Sequence, residues 1–523
     1  DKFWASWQEL ANYSSDLAHR EVVIERAAGL VTRVSDIHSK LTDLRIRANR
    51  EIEDEVDKLN GFASQVRDLN EKILKLQALG DHPNDLMDQR DRVIEQMSNI
   101  ANIRVGRGDS DEVFVFVGEQ AIVQGSIQRK LKTEADPMNE GMSKILWEHN
   151  NKDLILGGGK LLGLIHMRDK SIADRIDQTN QFALNIADIV NEIHKDGFGI
   201  NGKTNLNFFD IKNLSAGTDA NFQVQNARAN FDLNLDGTAE VTAIFRVTGT
   251  NKLSPQKKLG IDGTLTFEHK DRANDRVRID YSRDETLEEI VNKINKSNAN
   301  VVAYINHDSQ LSLKAVASGD DRRTNFMIRH LEDSGELLVG YSGILAASGE
   351  TGAFDFRRVN ELSKLRPNSQ DITLTPIFHP AAYLRVSDDV LRDPASIAAA
   401  RGKDIGGTGD YNAANGSADG ENALIIGKAL KQGRNMIGNS VNAEEFYNAL
   451  VSKLGTESRS AKDSMERQKE NLAELNNLRQ SVMGVSLDEE MSNMIQFQHS
   501  YNAAAKVIQT QSEMIETLLR LGA

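Results

Sequence analysis

The 523-residue chain is 39% apolar, carries a formal net charge of −14, and has no cysteine and seven prolines. Its length predicts two to four domains, and its low apolar share fits an elongated molecule with much surface for its volume. Several classes are excluded or disfavoured. There are no disulfides, thiolate metal sites or cysteine nucleophile, no stretch near the ~20 apolar residues of a membrane-spanning helix, and no basic cluster to recruit nucleic acid or an anionic membrane.

The chain opens at Asp1 in a helical pattern, "DKFWASWQEL", with no initiator Met. No signal peptide is visible at this end, and an upstream segment carrying any export signal is expected. Val34, Ile37, Leu41, Leu44 and Ala48 step by three and four, as do Leu59, Phe62, Val66, Leu69, Ile73 and Leu76. Ala48, Ile52 and Val56 step by four and four, a local stutter. Together they predict a coiled-coil-like helix. "GDHPND" breaks it, and a shorter helix, "LMDQRDRVIEQMSNIAN", follows.

From Ile103 the period changes to two, and "DEVFVFVGEQAIVQG" reads as a β-hairpin with Gly118 in its turn. Helical spacing returns after "GGGK": Leu164, Ile165, Ile172, Ile176, Phe182, Ile186, Ile189 and Ile193 share a stripe that ends at Gly197. From Phe208 to Val386 the chain reads as short strands rich in β-branched and aromatic residues, interrupted by one helix, "TLEEIVNKINKS". Six glycines between Gly402 and Gly420 predict a flexible connector.

The fold class this predicts is α+β and elongated, with long coiled-coil-like helices from both chain ends forming a stalk and β-rich matter inserted between them. The expected organisation is a long-helix stalk over 1–105 and a hairpin plus helix completing it over 106–209. One or two inserted β-rich domains cover 210–386, and a connector with short helices covers 387–441. A stalk helix over 442–485 and a terminal helix over 486–523 close the chain.

That terminal helix carries the clearest functional signal. Between Gly484 and Gly522 there is neither Gly nor Pro, leaving about 36 helix-forming residues, or roughly 54 Å. Ser486 and Glu489 make a capping box, and Asp488, Glu489 and Glu490 place negative charge where the helix dipole favours it. Leu487, Met494, Tyr501, Ile508 and Ile515 recur every seven residues, beside a smaller line of Met491, Gln498, Ala505, Ser512 and Leu519. The residues expected to meet neighbouring subunits are Leu487, Met491, Met494, Phe497, Tyr501, Ala504, Ala505, Ile508, Ile515 and Leu518. Each large one gains about 1.5–3 kcal/mol only when buried. The stripe therefore predicts a helix that is loose in a monomer and ordered in an assembly.

Signals for chemistry are weak. "DLNLDG" (Asp232 to Gly237) begins like a calcium loop, but Ala243 stands where the twelfth-position Glu belongs. A polar β-turn is the better reading. "GGGK" lacks the Ser/Thr and the spacing of a phosphate loop, which leaves a strand-to-helix turn. His194 and His499 fall on helix patterns and read as packing or surface residues. Asp88, Arg90 and Asp91 read as a salt-bridged helix junction. No cofactor, metal or catalytic residue is predicted.

Five stretches together resemble the FlgK family of bacterial flagellar hook-associated proteins. The terminal "GVSLDEEMSNMIQFQHSYNAAAKVIQTQSEMIETLLRL" is similar to that family's C-terminal signature, and "NDLMDQRD" (Asn84 to Asp91) to its Asn-Asp-Leu element. "GGKLLGLIHMRD", "VNEIHKDGFGINGKTNLNFF" and "GSADGENALIIGKAL" match further segments in order. Ile294 and Asn295 form an Ile-Asn motif of the kind found in flagellin-like proteins. The resemblance implies a structural subunit of the hook–filament junction, a ring-like homo-oligomer whose terminal helices line the inner tube. It implies contact with the hook protein and a second junction protein, and type III export with a chaperone on the C-terminal helix. It also implies residence in an external or periplasmic flagellum, and an N-terminal segment that pairs with the terminal helix. The residues alone leave two alternatives: a coiled-coil surface adhesin or secretion-tip protein, and a cell-wall glycan hydrolase with paired carboxylates in the β-rich insertion.

Overall fold

The computed structural model describes residues 2–521 except 109–111, 212–241, 273, 317–325, 359–360, 368–370, 375–378, 408–410, 430, 432–442 and 484–486. The chain divides into two compact units, 1–446 and 447–523.

The first unit begins with helix α1 (Lys2–Asn12), which buries Trp4, Trp7 and Leu10. Helix α2 (Leu17–Ala78) starts where the Asp16 carboxylate accepts from the Ala18 N–H and runs 62 residues, about 93 Å. Its C-terminal half buries the predicted stripe through Val56, Leu59, Val66, Leu69 and Ile73. Its middle does so only in part: Val34 and Ala48 are buried and Leu41 is half-buried. Ile37 and Leu44 are exposed, while His38 and Arg45 are buried. The reason is the partner this stretch faces. His38 Nε2 lies 3.1 Å from His379 Nδ1, and Arg45 donates to Glu140 at 2.9 Å. A polar neighbour turned the helix away from its apolar stripe. Gly80, at φ +89, helps end the helix ahead of Pro83, and helix α3 (Asn84–Ile100) packs back on it through Val93 and Met97.

Strands β1 (Ile103–Arg107), β2 (Val113–Val117), β3 (Gln120–Gln124) and β4 (Ile127–Gln128) form an antiparallel meander in that order. Gly118, at φ +60, makes the predicted turn between β2 and β3. A hairpin of β5 (Leu131–Asp136) and β6 (Met142–Trp147) follows. These strands share a core with α2, α3 and helix α4 (Lys160–His166). The α4 start is a tight turn at Gly159, where a Cβ would lie 2.6 Å from the Ala101 Cα. Residues Met167–Ile172 are π-helical and join α4 to helix α5 (Ala173–Asp196). The helical stripe expected over 164–193 is therefore one wide turn short of a continuous α-helix.

After α5, strand β7 (Phe209–Ile211) leads into the β-rich part. Strands β8 (Ile244–Lys252), β9 (Gly263–Glu268) and β10 (Arg276–Tyr281) precede helix α6 (Leu287–Lys296), which has a complete Thr286–Glu289 capping box. Strands β11 (Val301–Ile305), β12 (Gln310–Ala315), β13 (His330–Asp333), β14 (Phe354–Asp355) and β15 (Ile372–Leu374) complete two four-stranded antiparallel sheets, ordered β10-β9-β13-β14 and β11-β12-β8-β15. Phe245, Phe267, Leu311, Leu313, Leu331 and Phe354 fill the core they enclose. The Ile-Asn motif sits in this core. Ile294 is buried, and the Asn295 amide both donates to and accepts from the Ala303 backbone at 2.8 Å. Because β11 is the edge strand of its sheet, Asn295 takes the place of a missing neighbour strand there.

Helix α7 (Pro380–Tyr383) and strand β16 (Leu384–Val386) bring the chain home. β16 pairs with β7, Phe209 opposite Val386, so the insertion leaves and returns at one place. Helices α8 (Asp388–Arg392) and α9 (Glu421–Ala429) finish this core, with α9 against α1. The glycine-rich loop between them is tied across its neck by the Lys403 N–H to the Ala413 carbonyl, 2.7 Å. The residues of the candidate calcium loop, Asp232 to Gly237, lie outside the described residues.

Helix α10 (Ala443–Met483) runs from the end of the first unit into the second, which helix α11 (Leu487–Leu521) completes.

Candidate functional site

Helix α11 contains neither Gly nor Pro over 35 residues, and Asp488, Glu489 and Glu490 occupy its first turn. Ser486, the expected cap, lies outside the described residues, as do the side chains of Leu487 and Leu518. The remaining predicted contacts are all exposed. Met491, Met494, Ile508 and Ile515 are more than half accessible, Phe497 and Tyr501 each reach 74%, and Ala504 and Ala505 are exposed between them. At 100° per residue these eight side chains fall within an arc of about 140°, and Met494 to Ile515 spans about 32 Å of axis.

Sequence reasoning missed two parts of this surface. Ile495, Val507 and Met514 are exposed apolar residues on α11 and lie outside that arc, so the helix is oily on more than one face. A helix with that distribution needs more than one covering neighbour. On α10, Tyr447, Leu454 and Leu475 fall on one seven-residue line and Val451, Met465 and Leu472 on another, all about half exposed or more. The same three-and-four step was present in the sequence. Ser458, Ala461 and Gln468 dilute it enough to hide the pattern.

The exposure contrasts with the first unit, where apolar side chains of the same types are buried in three main clusters. Single exposed apolar side chains are ordinary on a protein surface, whereas rows of them along a helix are less common there. Burying one large side chain of the seam contributes about 1.5–3 kcal/mol, so a helix in a monomer forgoes most of its stabilisation.

Among the residues singled out for possible chemistry, His194 and Arg90 have structural roles. His194 is buried: its Nδ1 donates to the Leu206 carbonyl at 2.6 Å and its Nε2 accepts from the Ala398 N–H at 2.9 Å. That pairing requires a neutral ring, and burial, assisted by Arg20, holds its pKa down at about 4 against the Leu206 carbonyl. His499 is exposed on α11. Arg90 is buried, 3.8 Å from Asp91, and donates to Asn70 at 3.2 Å. Asn70 in turn donates to the Val113 and Gly125 carbonyls, so Arg90 and Asn70 tie α2 and α3 to the first sheet. Asp88 is exposed. No helix among the described residues is long and apolar enough to cross a membrane.

Comparison with known proteins places these features in a context. The family described as "Flagellar hook-associated protein FlgK helical domain" matches residues 1–209. The family described as "Flagellar basal body rod FlgEFG protein C-terminal" matches 480–521, the region of α11. "Flagellin hook IN motif" matches 264–317, around Asn295. Flagellar hook-associated protein 1 of Escherichia coli K12 is 26% identical over 529 residues, covering 99% of this chain and 79% of that protein. The Salmonella typhimurium protein of the same name is also 26% identical, covering 99% and 80%. That of Bacillus subtilis is 25% identical over 40% of this chain and 47% of its own length. The solved flagellar hook junction protein FlgK from Burkholderia pseudomallei superposes with a TM-score of 0.55 at 15% identity, covering 92% and 93% of the two chains. The fold is shared.

Proposed function

We propose that the chain is a member of the FlgK family of flagellar hook-associated proteins and works as a structural subunit of the hook–filament junction, joined to its neighbours through α10 and α11. It is a component of the bacterial flagellum and associates with other flagellar components. The observation that carries the reading is the exposed seam of Met491, Met494, Phe497, Tyr501, Ile508 and Ile515. The assembly is a ring-like homo-oligomer, in which copies of the same helix supply the missing partners. The extra apolar residues Ile495, Val507 and Met514 suit a helix wedged between two neighbours. The hook protein and a second junction protein cover the remaining faces, and an export chaperone covers the seam before assembly. The protein acts without turnover of a substrate.

The test is electron microscopy of cells lacking the protein, which are expected to carry hooks without filaments. The unaltered chain restores filaments; Ile508→Asp, which puts a charge in the middle of the seam, does not, although its first unit melts normally because Ile508 is exposed in the monomer. Filaments in the deletion strain, or full rescue by Ile508→Asp, would overturn the proposal.

A further inference from the structure

A separate cluster lies where the inserted β part meets the helical part of the first unit. Asp196 is the last residue of α5. His307 and Asp308 lie in the turn between β11 and β12, 111 residues further along. That turn is set by Asn306, whose side-chain oxygen accepts from the Asp308 N–H at 3.0 Å and the Gln310 N–H at 2.8 Å. The His307 Nε2 points between two carboxylates, 3.0 Å from Asp196 Oδ2 and 3.2 Å from Asp308 Oδ2. One ligand atom from each residue falls within 4.8 Å of the other two.

From this geometry we infer that Asp196, His307 and Asp308 form a three-ligand site for a first-row divalent cation of the zinc or manganese class, which pins the β11–β12 turn to the end of α5. Metal–ligand bonds of about 2.1 Å place neighbouring ligand atoms about 3.0 Å apart in octahedral and about 3.4 Å apart in tetrahedral coordination. The two distances from Nε2 fall at that spacing before any ion is added. An imidazole with two carboxylates suits zinc or manganese better than calcium or magnesium, which favour all-oxygen shells.

The His307 side chain is only 6% exposed; its Nε2 faces the two carboxylates, and its Nδ1, on the other side of the ring, is buried without a hydrogen-bond partner. Glu192 Oε1 is buried in the adjoining cleft without a hydrogen-bond donor, with Arg246 Nη1 3.8 Å away. The cleft has a volume of ≈ 430 Å³, enough for water to complete the ion's shell. Arg401 Nη2 lies 3.3 Å from Asp308 Oδ1. It holds the outer oxygen and leaves Oδ2 to face the ion, the usual role of a group behind a ligand.

The inference does not depend on the assembly reading. Calorimetric titration of the EDTA-dialysed full chain with zinc or manganese chloride is expected to show one ion per chain, with calcium and magnesium bound far more weakly. Asp196→Asn, His307→Gln and Asp308→Asn should each weaken binding about tenfold or more. Hydrogen exchange with and without zinc gives a second readout that needs no variant: protection should concentrate at the end of α5 and at residues 305–310. Absence of binding, unchanged affinity in the variants, calcium bound as tightly as zinc, or protection confined to other segments would each overturn the site. That last result would leave the Asp196–His307–Asp308 contact as an ordinary ion pair.

Discussion

Replacing Asp188 by leucine removes the negative centre of a buried charge set that clamps α5 to the β11-β12-β8-β15 sheet. Both Asp188 oxygens lie 3.2 Å from Arg246 Nε, and one lies 3.0 Å from Lys314 Nζ. Thr373 donates to the same carboxylate at 3.0 Å. Glu192 accepts from the Tyr304 hydroxyl at 3.1 Å and faces Arg246 at 3.8 Å. All four charged side chains are buried, and their charges sum to zero. Burial pushes the Asp188 carboxyl up, but Arg246 and Lys314 outweigh it and hold the group at about 2. In Asp188→Leu two cations are left facing one carboxylate in a dry setting, a loss of about 3–5 kcal/mol. Lys314→Met leaves the opposite imbalance and is also destabilising. The double variant keeps the neutral Arg246–Glu192 pair, so it should be more stable than Asp188→Leu alone, with a coupling energy of about 1–3 kcal/mol. Urea unfolding followed by far-UV circular dichroism measures all four corners of the cycle. If the double variant loses the sum of the two single losses, the residues do not act as a balanced set and the reasoning fails.

Mild acid should destabilise the first unit through its neutral histidines. Burial holds His194 and His38 at about 4, His38 also because of His379 beside it. The unfolded chain therefore binds these protons first, and stability present above about pH 6.5 is lost as pH falls toward 4, by about 2 kcal/mol per site at pH 5. A melting temperature unchanged between pH 7 and 5, or one that falls equally in the His38→Gln, His194→Gln double variant, would contradict this. Asn295→Ala removes both bonds to Ala303 and should cost about 1–3 kcal/mol, with faster hydrogen exchange along β11; unaltered exchange there would refute the edge-covering role. Gly420→Ala would put a Cβ 2.1 Å from the Ala11 carbonyl and should cost about 1–3 kcal/mol by prising α9 from α1, visible as a lower melting temperature by tryptophan fluorescence. A melting temperature matching the unaltered chain would mean that the backbone there gives way freely.

The α+β class, the hairpin around Gly118, the helix between Leu287 and Lys296 and the seam on α11 were legible in the sequence, because each rests on a period of two, three and four, or seven residues within one element. Asn295 could be spotted as part of a motif, but its work on the edge of β11 could not be read, since nothing local says which strand of a sheet lies outermost. Ile37 and Leu44 kept the helical period yet face solvent, because the side of a helix that is buried is chosen by its neighbour, here His379 and Glu140. Asp188, Glu192 and Asp196, four apart along α5, look in the sequence like a solvated acidic face. The insertion, whose ends pair as β7 and β16 beside that helix, places Arg246, Lys314 and His307 against them. Local periodicity thus determined what the elements are and picked out one of the exposed apolar faces of α11. Contacts between residues a hundred or more positions apart decided which charges are buried, because burial depends on what the rest of the chain places opposite.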